Sequence, residues 1–169
     1  MSDGAGAVTR LGTGALPYKL ACLCDLRDAD GRVLLLHRSR APNQGLYSPI
    51  GGKLHMDEGE SPAVCAQREI LEEAEIEVPL DRLHLLGLVS ECAYEGRQHW
   101  LLFYYRVLGP VEGEAKEMRE GRLDWHEESA TSGLNLPLSD RGIIWPMVQA
   151  HETPLVEGGK PGSFIAHID

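Results

Sequence analysis

The chain has no surplus of positive charge, no long apolar run and no paired cysteine spacing, and each lack removes a class of function. Lys and Arg number 16 against 26 Asp and Glu, a formal net charge of -10. Binding to a nucleic-acid backbone relies on clustered cations that displace counterions, and those are missing. No apolar stretch approaches the roughly 20 residues of a membrane span. The opening "MSDGAGAVTRLGTGALPYK" lacks the apolar core of a signal peptide. The expectation is a cytoplasmic protein that touches neither a membrane nor a nucleic-acid polymer. Cys22, Cys24, Cys65 and Cys92 do not have the spacing of a zinc site and read as reduced, partly buried thiols. His37, His55, His84, His99, His126, His151 and His167 share no metal spacing, although His55 and His126 could approach a site from their positions.

What is present suits one folded domain. Hydrophobic residues make up 43% and charged residues 25%, near the average for globular proteins, and 169 residues bury a core without disulfides. Residues 1–17 are rich in Gly, Ala, Ser and Thr and read as a flexible arm. The domain proper is expected over 18–169. "YKLACLCDL", "DADG" and "RVLLLHRS" give two β-rich runs around an Asp-Gly turn, the signature of a hairpin. Ser61 and Pro62 then open a helix expected to run to Ala74. "RLHLLGLVSE" and "HWLLFYYRVL" read as neighbouring strands, and "GRLDW" as a short one. "LSDRGIIWPMVQAH" suggests a second helix that Pro146 could interrupt, and "GSFIAHID" a last strand. This order predicts an α/β fold with a mixed sheet and helices on its faces.

The unusual segment is "REILEE", residues 68–73. At about 100° per residue from Glu69, Glu73 lies near +40° and Glu72 near -60°, so three carboxylates crowd one helix face. Ala63, Ile70 and Ala74 fall near +100° to +140° and form the stripe that packs on the sheet. An acidic helix face is ordinarily just solvated. Here, however, like charges at i,i+3 and i,i+4 repel, and glutamates near a helix C-terminus oppose its dipole. A hard divalent cation, Mg²⁺ or Mn²⁺, would relieve both. Arg68 is suited to fix one carboxylate from behind.

These residues resemble the Nudix box. In "GGKLHMDEGESPAVCAQREILEEAEI" the pattern runs from a glycine through Glu60 to Arg68-Glu69 and Glu72-Glu73, with Ile76 at its hydrophobic end. Two departures stand out. Seven residues separate Gly52 from Glu60 where the family has five, so that counting from the glycine would select Glu58 instead. Glu75 occupies the position of a glycine near the helix end, at a cost on the order of 1 kcal/mol if its φ is positive.

The resemblance implies a Nudix fold, an α/β/α sandwich with a mixed central β-sheet. It also implies Mg²⁺-dependent hydrolysis of a nucleoside diphosphate linked to another moiety. On this reading Glu69, Glu72 and Glu73 bind metal with the Gly52 carbonyl, Arg68 supports them, and Glu117 or Glu120 adds a further catalytic glutamate. Lys53 either touches a phosphate or lies toward solvent. "APNQGLYSPIGGK" and "LPLSDRGIIWPMV" resemble the MutT-like branch that removes oxidised purine nucleoside triphosphates, which makes Tyr47 and Asp140 candidate substrate contacts. Asp140 or Ser139 could equally cap the helix, and Trp125 and Trp145 pack as core residues in most proteins. An ADP-ribose, nucleotide-sugar or dinucleoside polyphosphate hydrolase is the rival substrate reading. A non-catalytic nucleotide sensor is the rival class, and the three intact glutamates argue against it. Among oligomeric states the resemblance mildly favours a homodimer.

Overall fold

A computed structural model describes residues 16–41, 43–151 and 161–169. The arm expected over 1–17 therefore lies almost wholly outside the described residues. Among the described residues, nine strands and two α-helices follow in this order: β1 (Tyr18–Asp25), β2 (Val33–Arg38), β3 (Tyr47–Ser48), β4 (Ile50–Lys53), α1 (Pro62–Ala74), β5 (Leu83–Tyr94), β6 (Gln98–Val107), β7 (Lys116–Met118), β8 (Gly121–His126), α2 (Trp145–His151) and β9 (Phe164–Ile168).

The strands divide between two sheets. A mixed five-stranded sheet has the order β4-β1-β6-β5-β9, with β1 parallel to β6 and β5 parallel to β9. An antiparallel four-stranded sheet has the order β3-β2-β8-β7. The expected β1–β2 hairpin is thus corrected: the two runs are strands joined by the Asp-Gly turn, but they pair briefly, through the Arg27–Val33 bridge and the Leu34 N–H on the Leu26 carbonyl, and then part into different sheets. Val33, Leu34, Leu35 and Leu36 are all buried. A strand apolar on both sides needs cover on both faces, which β2 finds between two cores. β5 and β6 are antiparallel neighbours, with register shifts between Leu85 and Gly87 and between Glu91 and Tyr94.

Helix α1 starts and stops for local reasons. The Ser61 hydroxyl accepts from the Val64 amide at 3.3 Å, and Pro62 opens the first turn. Glu75 ends the helix at φ 59°, ψ 29°, with its amide on the Leu71 carbonyl, so the left-handed exit survives without a glycine. Ile70 and Ala74 are buried and Ala63 packs beside them, with Cys65 and Ala66, against Cys22 and Cys24 of β1 and Leu34, Leu36 and Leu123 of the other sheet. A second core on the opposite face of the large sheet joins Leu86, Val89 and Tyr104 to Ile144 and Val148. The expected second helix is continuous through Pro146. It starts at Leu138, widens to a π-helical turn over Asp140–Ile144, where the Trp145 N–H reaches back to the Asp140 carbonyl, and becomes α2 at Trp145, so the irregular turn lies immediately before the residue that has no N–H to donate.

Candidate active site

The acidic face of α1 is organised by one side chain. Arg68 grips Glu60 through Nε to Oε1 at 2.8 Å and Nη2 to Oε2 at 3.0 Å. Its Nη1 reaches Glu69 Oε1 at 2.7 Å and Glu72 Oε2 at 3.3 Å, and Nη2 also donates to the Lys53 carbonyl at 3.2 Å. A planar fork can hold several acceptors at fixed angles, which a lysine cannot. The Glu60 carboxyl drops to about 2 because Arg68 hydrogen-bonds it. Its Oε2 also accepts from the His55 amide at 2.8 Å. Glu58 pairs only with exposed His55, so Glu60 is the glutamate that belongs with Arg68. The two additional residues are taken up by a short 3₁₀ turn of three residues, Met56–Glu58, closed by Gly59 at φ 68°.

Glu73 points the other way and is buried. Its Oε2 accepts from the Gly51 amide at 3.2 Å. Burial, and then the neighbouring Glu69, push its carboxyl up to about 7. Burial raises Glu69 as well. Strand β4 comes this close because it is bare. A Cβ on Gly51 would strike the backbone of Cys22, and one on Gly52 would overlap the Glu69 carboxylate. The Gly52 carbonyl faces the Cys65 thiol at 3.7 Å.

The two loop glutamates separate. Glu120, in the turn between β7 and β8, pairs with Arg38 at 3.2 Å, and its charge is felt by both Glu69 and Glu73. Glu117 is exposed on β7, against Arg122 at 3.6 Å. β7 itself read as loop in the sequence, since three residues carry no periodicity.

Hard oxygen donors on one helix face, beside a strand stripped of side chains, suit a divalent cation such as Mg²⁺. The cradle that a Gly52 Cβ would fill supports that fit. As they stand, no three His, Cys, Asp or Glu side chains among the described residues are gathered closely enough to hold an ion; Arg68 takes up oxygens of Glu69 and Glu72.

The other predicted residues lie at varied distances from this face. The Lys53 side chain is exposed. Tyr47 stacks on His37 with centroids 4.5 Å apart and meets His126 edge-on at 5.1 Å, so it is held in an aromatic cluster against Val33, Leu35 and Trp145. Trp125 packs on the main core and donates from Nε1 to the Gly113 carbonyl at 3.0 Å. Asp140 does not cap α2. It lines a cavity of about 10 Å³ with Pro49, Tyr104 and Trp145, where burial and then Glu91 push its carboxyl up to about 7. Glu91 escaped the sequence reading. A single Glu near the end of a strand-like run looks like an exposed edge residue, yet it is 8% exposed.

The NUDIX domain family model matches residues 17–138. Among solved structures, the chain resembles a MutT mutator protein from Bacillus halodurans at 30% identity, over 76% of this chain and 79% of that one, with a TM-score of 0.61. A MutT NUDIX hydrolase from Burkholderia pseudomallei matches at 28% identity over 71% and 87%, TM-score 0.55. A MutT protein from Methanosarcina mazei Go1 shares the fold at 24% identity over 80% and 96%, TM-score 0.67. The family match runs across most of the chain and takes in every element that builds the acidic face; on that ground the protein belongs to the Nudix hydrolases.

Proposed function

We propose that the protein hydrolyses purine nucleoside triphosphates, oxidised forms among them, to the monophosphate and pyrophosphate, with Mg²⁺ as cofactor. Glu69, Glu72 and Glu73, together with the Gly52 carbonyl, would hold the metal. Bound there, Mg²⁺ neutralises charge on the phosphates and lowers the pKa of an attacking water. Arg68 keeps Glu69 and Glu72 in position. Glu120, in electrostatic reach of Glu69 and Glu73 and tethered by Arg38, is the group to take a proton from water, and Glu117 is a surface residue. Lys53 lies free at the end of β4, where it can meet a phosphate. Asp140 contacts the base, and Tyr47 shapes the wall beside it from within its aromatic cluster.

The observation that carries this reading is the clamp of Arg68 on Glu60, Glu69 and Glu72 beside the Glu73–Gly51 contact. Four carboxylates gathered around one arginine and one backbone amide repel one another, and a cation site gives that crowding a use. The likeness to MutT proteins supports the triphosphate as substrate.

The test is Mg²⁺-dependent hydrolysis of dGTP, 8-oxo-dGTP, ADP-ribose, UDP-glucose and diadenosine polyphosphates, alongside Glu72→Gln and Glu73→Gln. Turnover of the triphosphates, cut at least about 10²-fold in Glu73→Gln, is expected, since metal stabilisation of a transition state is worth several kcal/mol. Turnover of ADP-ribose or UDP-glucose alone would replace the substrate assignment. Triphosphate hydrolysis undiminished in both variants would remove the metal assignment.

A further inference from the structure

Three of the four cysteines meet in the core beneath the acidic face. Cys22 and Cys65 are 0% exposed, and their sulfurs stand 3.2 Å apart, β1 against α1. Cys24, also buried, turns its thiol to the Ala66 carbonyl at 3.9 Å. Cys92 is exposed, and all four are free thiols. Sulfurs in a disulfide lie about 2.05 Å apart. Cys22 and Cys65 are therefore about 1 Å of approach from a covalent bond.

What the pair touches gives such a bond a consequence. Cys65 Sγ lies 3.7 Å from the Gly52 carbonyl and 3.6 Å from Arg68 Nη2. Cys22 stands opposite Gly52 in the β1–β4 register. Arg68 and Glu69 follow Cys65 by one helical turn, so a shift of Cys65 carries them with it. The surroundings leave no slack, because the Glu69 carboxylate fills the space where a Gly52 Cβ would stand. Misplacing a reacting geometry by about 1 Å can cost on the order of 10²-fold in rate. Bonding would also remove the S–H that faces the Gly52 carbonyl.

We propose that Cys22 and Cys65 are an oxidation site for hydroperoxides, and that the disulfide they form fastens α1 to β1 and reversibly lowers hydrolysis. The inference rests on the metal-site reading above and not on which nucleotide is cleaved. One sulfur, as thiolate, attacks a peroxide oxygen and becomes a sulfenic acid, while the rest of the peroxide leaves as water or an alcohol. The other thiol then attacks that sulfur and displaces water. In sum, two thiols and one hydroperoxide give a disulfide, one water and one alcohol, or two waters where the oxidant is hydrogen peroxide.

The closed protein guards the pair. The hydrogen bond with Cys24, and burial, push the Cys22 thiol up; the hydrogen bond with Cys22, and burial, push the Cys65 thiol up. A protonated thiol is a poor nucleophile. Oxidation therefore proceeds through local opening between β4 and α1, where Arg68 beside Cys65 favours the thiolate. Brief exposure leaves the enzyme working, and sustained exposure closes the bond.

The experiment treats the reduced full chain with hydrogen peroxide, in a Cys92→Ser background that prevents links between copies through the exposed thiol. Fragment masses read the cross-link between the tryptic peptides that carry Cys22 and Cys65. Mg²⁺-dependent kcat is read on whichever nucleotide the panel above identifies. The expected result is a Cys22–Cys65 link with at least a tenfold fall in kcat that dithiothreitol restores. Cys24→Ala should form the same link and lose activity alike, whereas Cys22→Ala and Cys65→Ala form none and keep their activity in peroxide. No linked peptide, a link with kcat unchanged, a loss that dithiothreitol does not restore, or an equal loss in Cys22→Ala and Cys65→Ala overturns the proposal and leaves the hydrolase reading standing. A reduced chain that hydrolyses no nucleotide overturns the metal-site reading and the switch with it, while the masses still report the bond.

Discussion

Arg68 and Glu60 face each other fork to fork, with 2.8 Å and 3.0 Å contacts, across a gap of eight residues that joins the start of α1 to its middle. Through the same guanidinium, Glu60 governs the rotamers of Glu69 and Glu72 without touching either. Glu60→Gln and Arg68→Lys should therefore act alike. Each is expected to lower Mg²⁺-dependent kcat by roughly 10- to 100-fold, as losses of outer support at metal sites do, and to raise the Mg²⁺ concentration for half-activity. Losing the charged bonds should cost on the order of 1–3 kcal/mol of stability. A metal titration of activity, with denaturant melts, checks both. Because Arg68 depresses the Glu60 carboxyl to about 2, its stabilisation is present above the ordinary 4.5 and is lost as pH falls from there through 2. The wild type and Glu60→Gln should converge in stability over that window.

Glu120 and Glu117 should part company in the same assay. Glu120→Gln is expected to cut kcat about 10²- to 10⁴-fold, the usual worth of a general base. Glu117→Gln, which loses only an exposed pair with Arg122, should stay within about twofold of wild type. Equal losses in the two would remove Glu120 from the reaction.

Asp140 makes stability depend on pH in the opposite sense to Glu60. Its carboxyl is raised from the ordinary 3.8 to about 7, so the folded state favours the protonated form. That contribution is whole below 3.8 and is lost as pH rises through 7. At about 1.4 kcal/mol per pH unit the loss is bounded near 4 kcal/mol, and the half-buried position brings the expectation down to about 1–2 kcal/mol. Asp140→Asn should melt higher than wild type at pH 8, by roughly 2–8 °C, with the gap closing toward pH 4. Melting curves from pH 4 to pH 9 in the absence of nucleotide measure it.

Glu75 carries a left-handed backbone at φ 59° for little return, since its bond to Lys116 at 3.1 Å is exposed. Glu75→Gly should stabilise the protein by about 0.5–1 kcal/mol, seen as a rise of about 1–4 °C in Tm with hydrolysis unaltered. A fall in Tm would mean that the Lys116 pair outweighs the backbone.

Helix α1 could be read to the residue because its signals are local. Ser61 and Pro62 act within one turn, and the carboxylate crowding on Glu69, Glu72 and Glu73 is a matter of spacing alone. The partners of β1 and β2 could not be read that way. Their Asp-Gly turn is sound, but the burial of Val33 to Leu36 on both sides is decided by β8, almost ninety residues away. The same limit hid Glu91, whose surroundings come from Ser139 and Asp140 on a different element. It also left Glu117 and Glu120 equivalent, since only the turn at Gly121 decides which one faces α1.

The 3₁₀ turn at Met56–Glu58 bulges outward from a stretch pinned at both its ends, by the His55 amide on Glu60 and by the Lys53 carbonyl on Arg68. The spacing between strand and helix is thus measured by a guanidinium and not by the length of the connecting chain. A reporter peptide inserted into that bulge is therefore expected to leave the Arg68 bonds to Glu60, Glu69 and Glu72 in place.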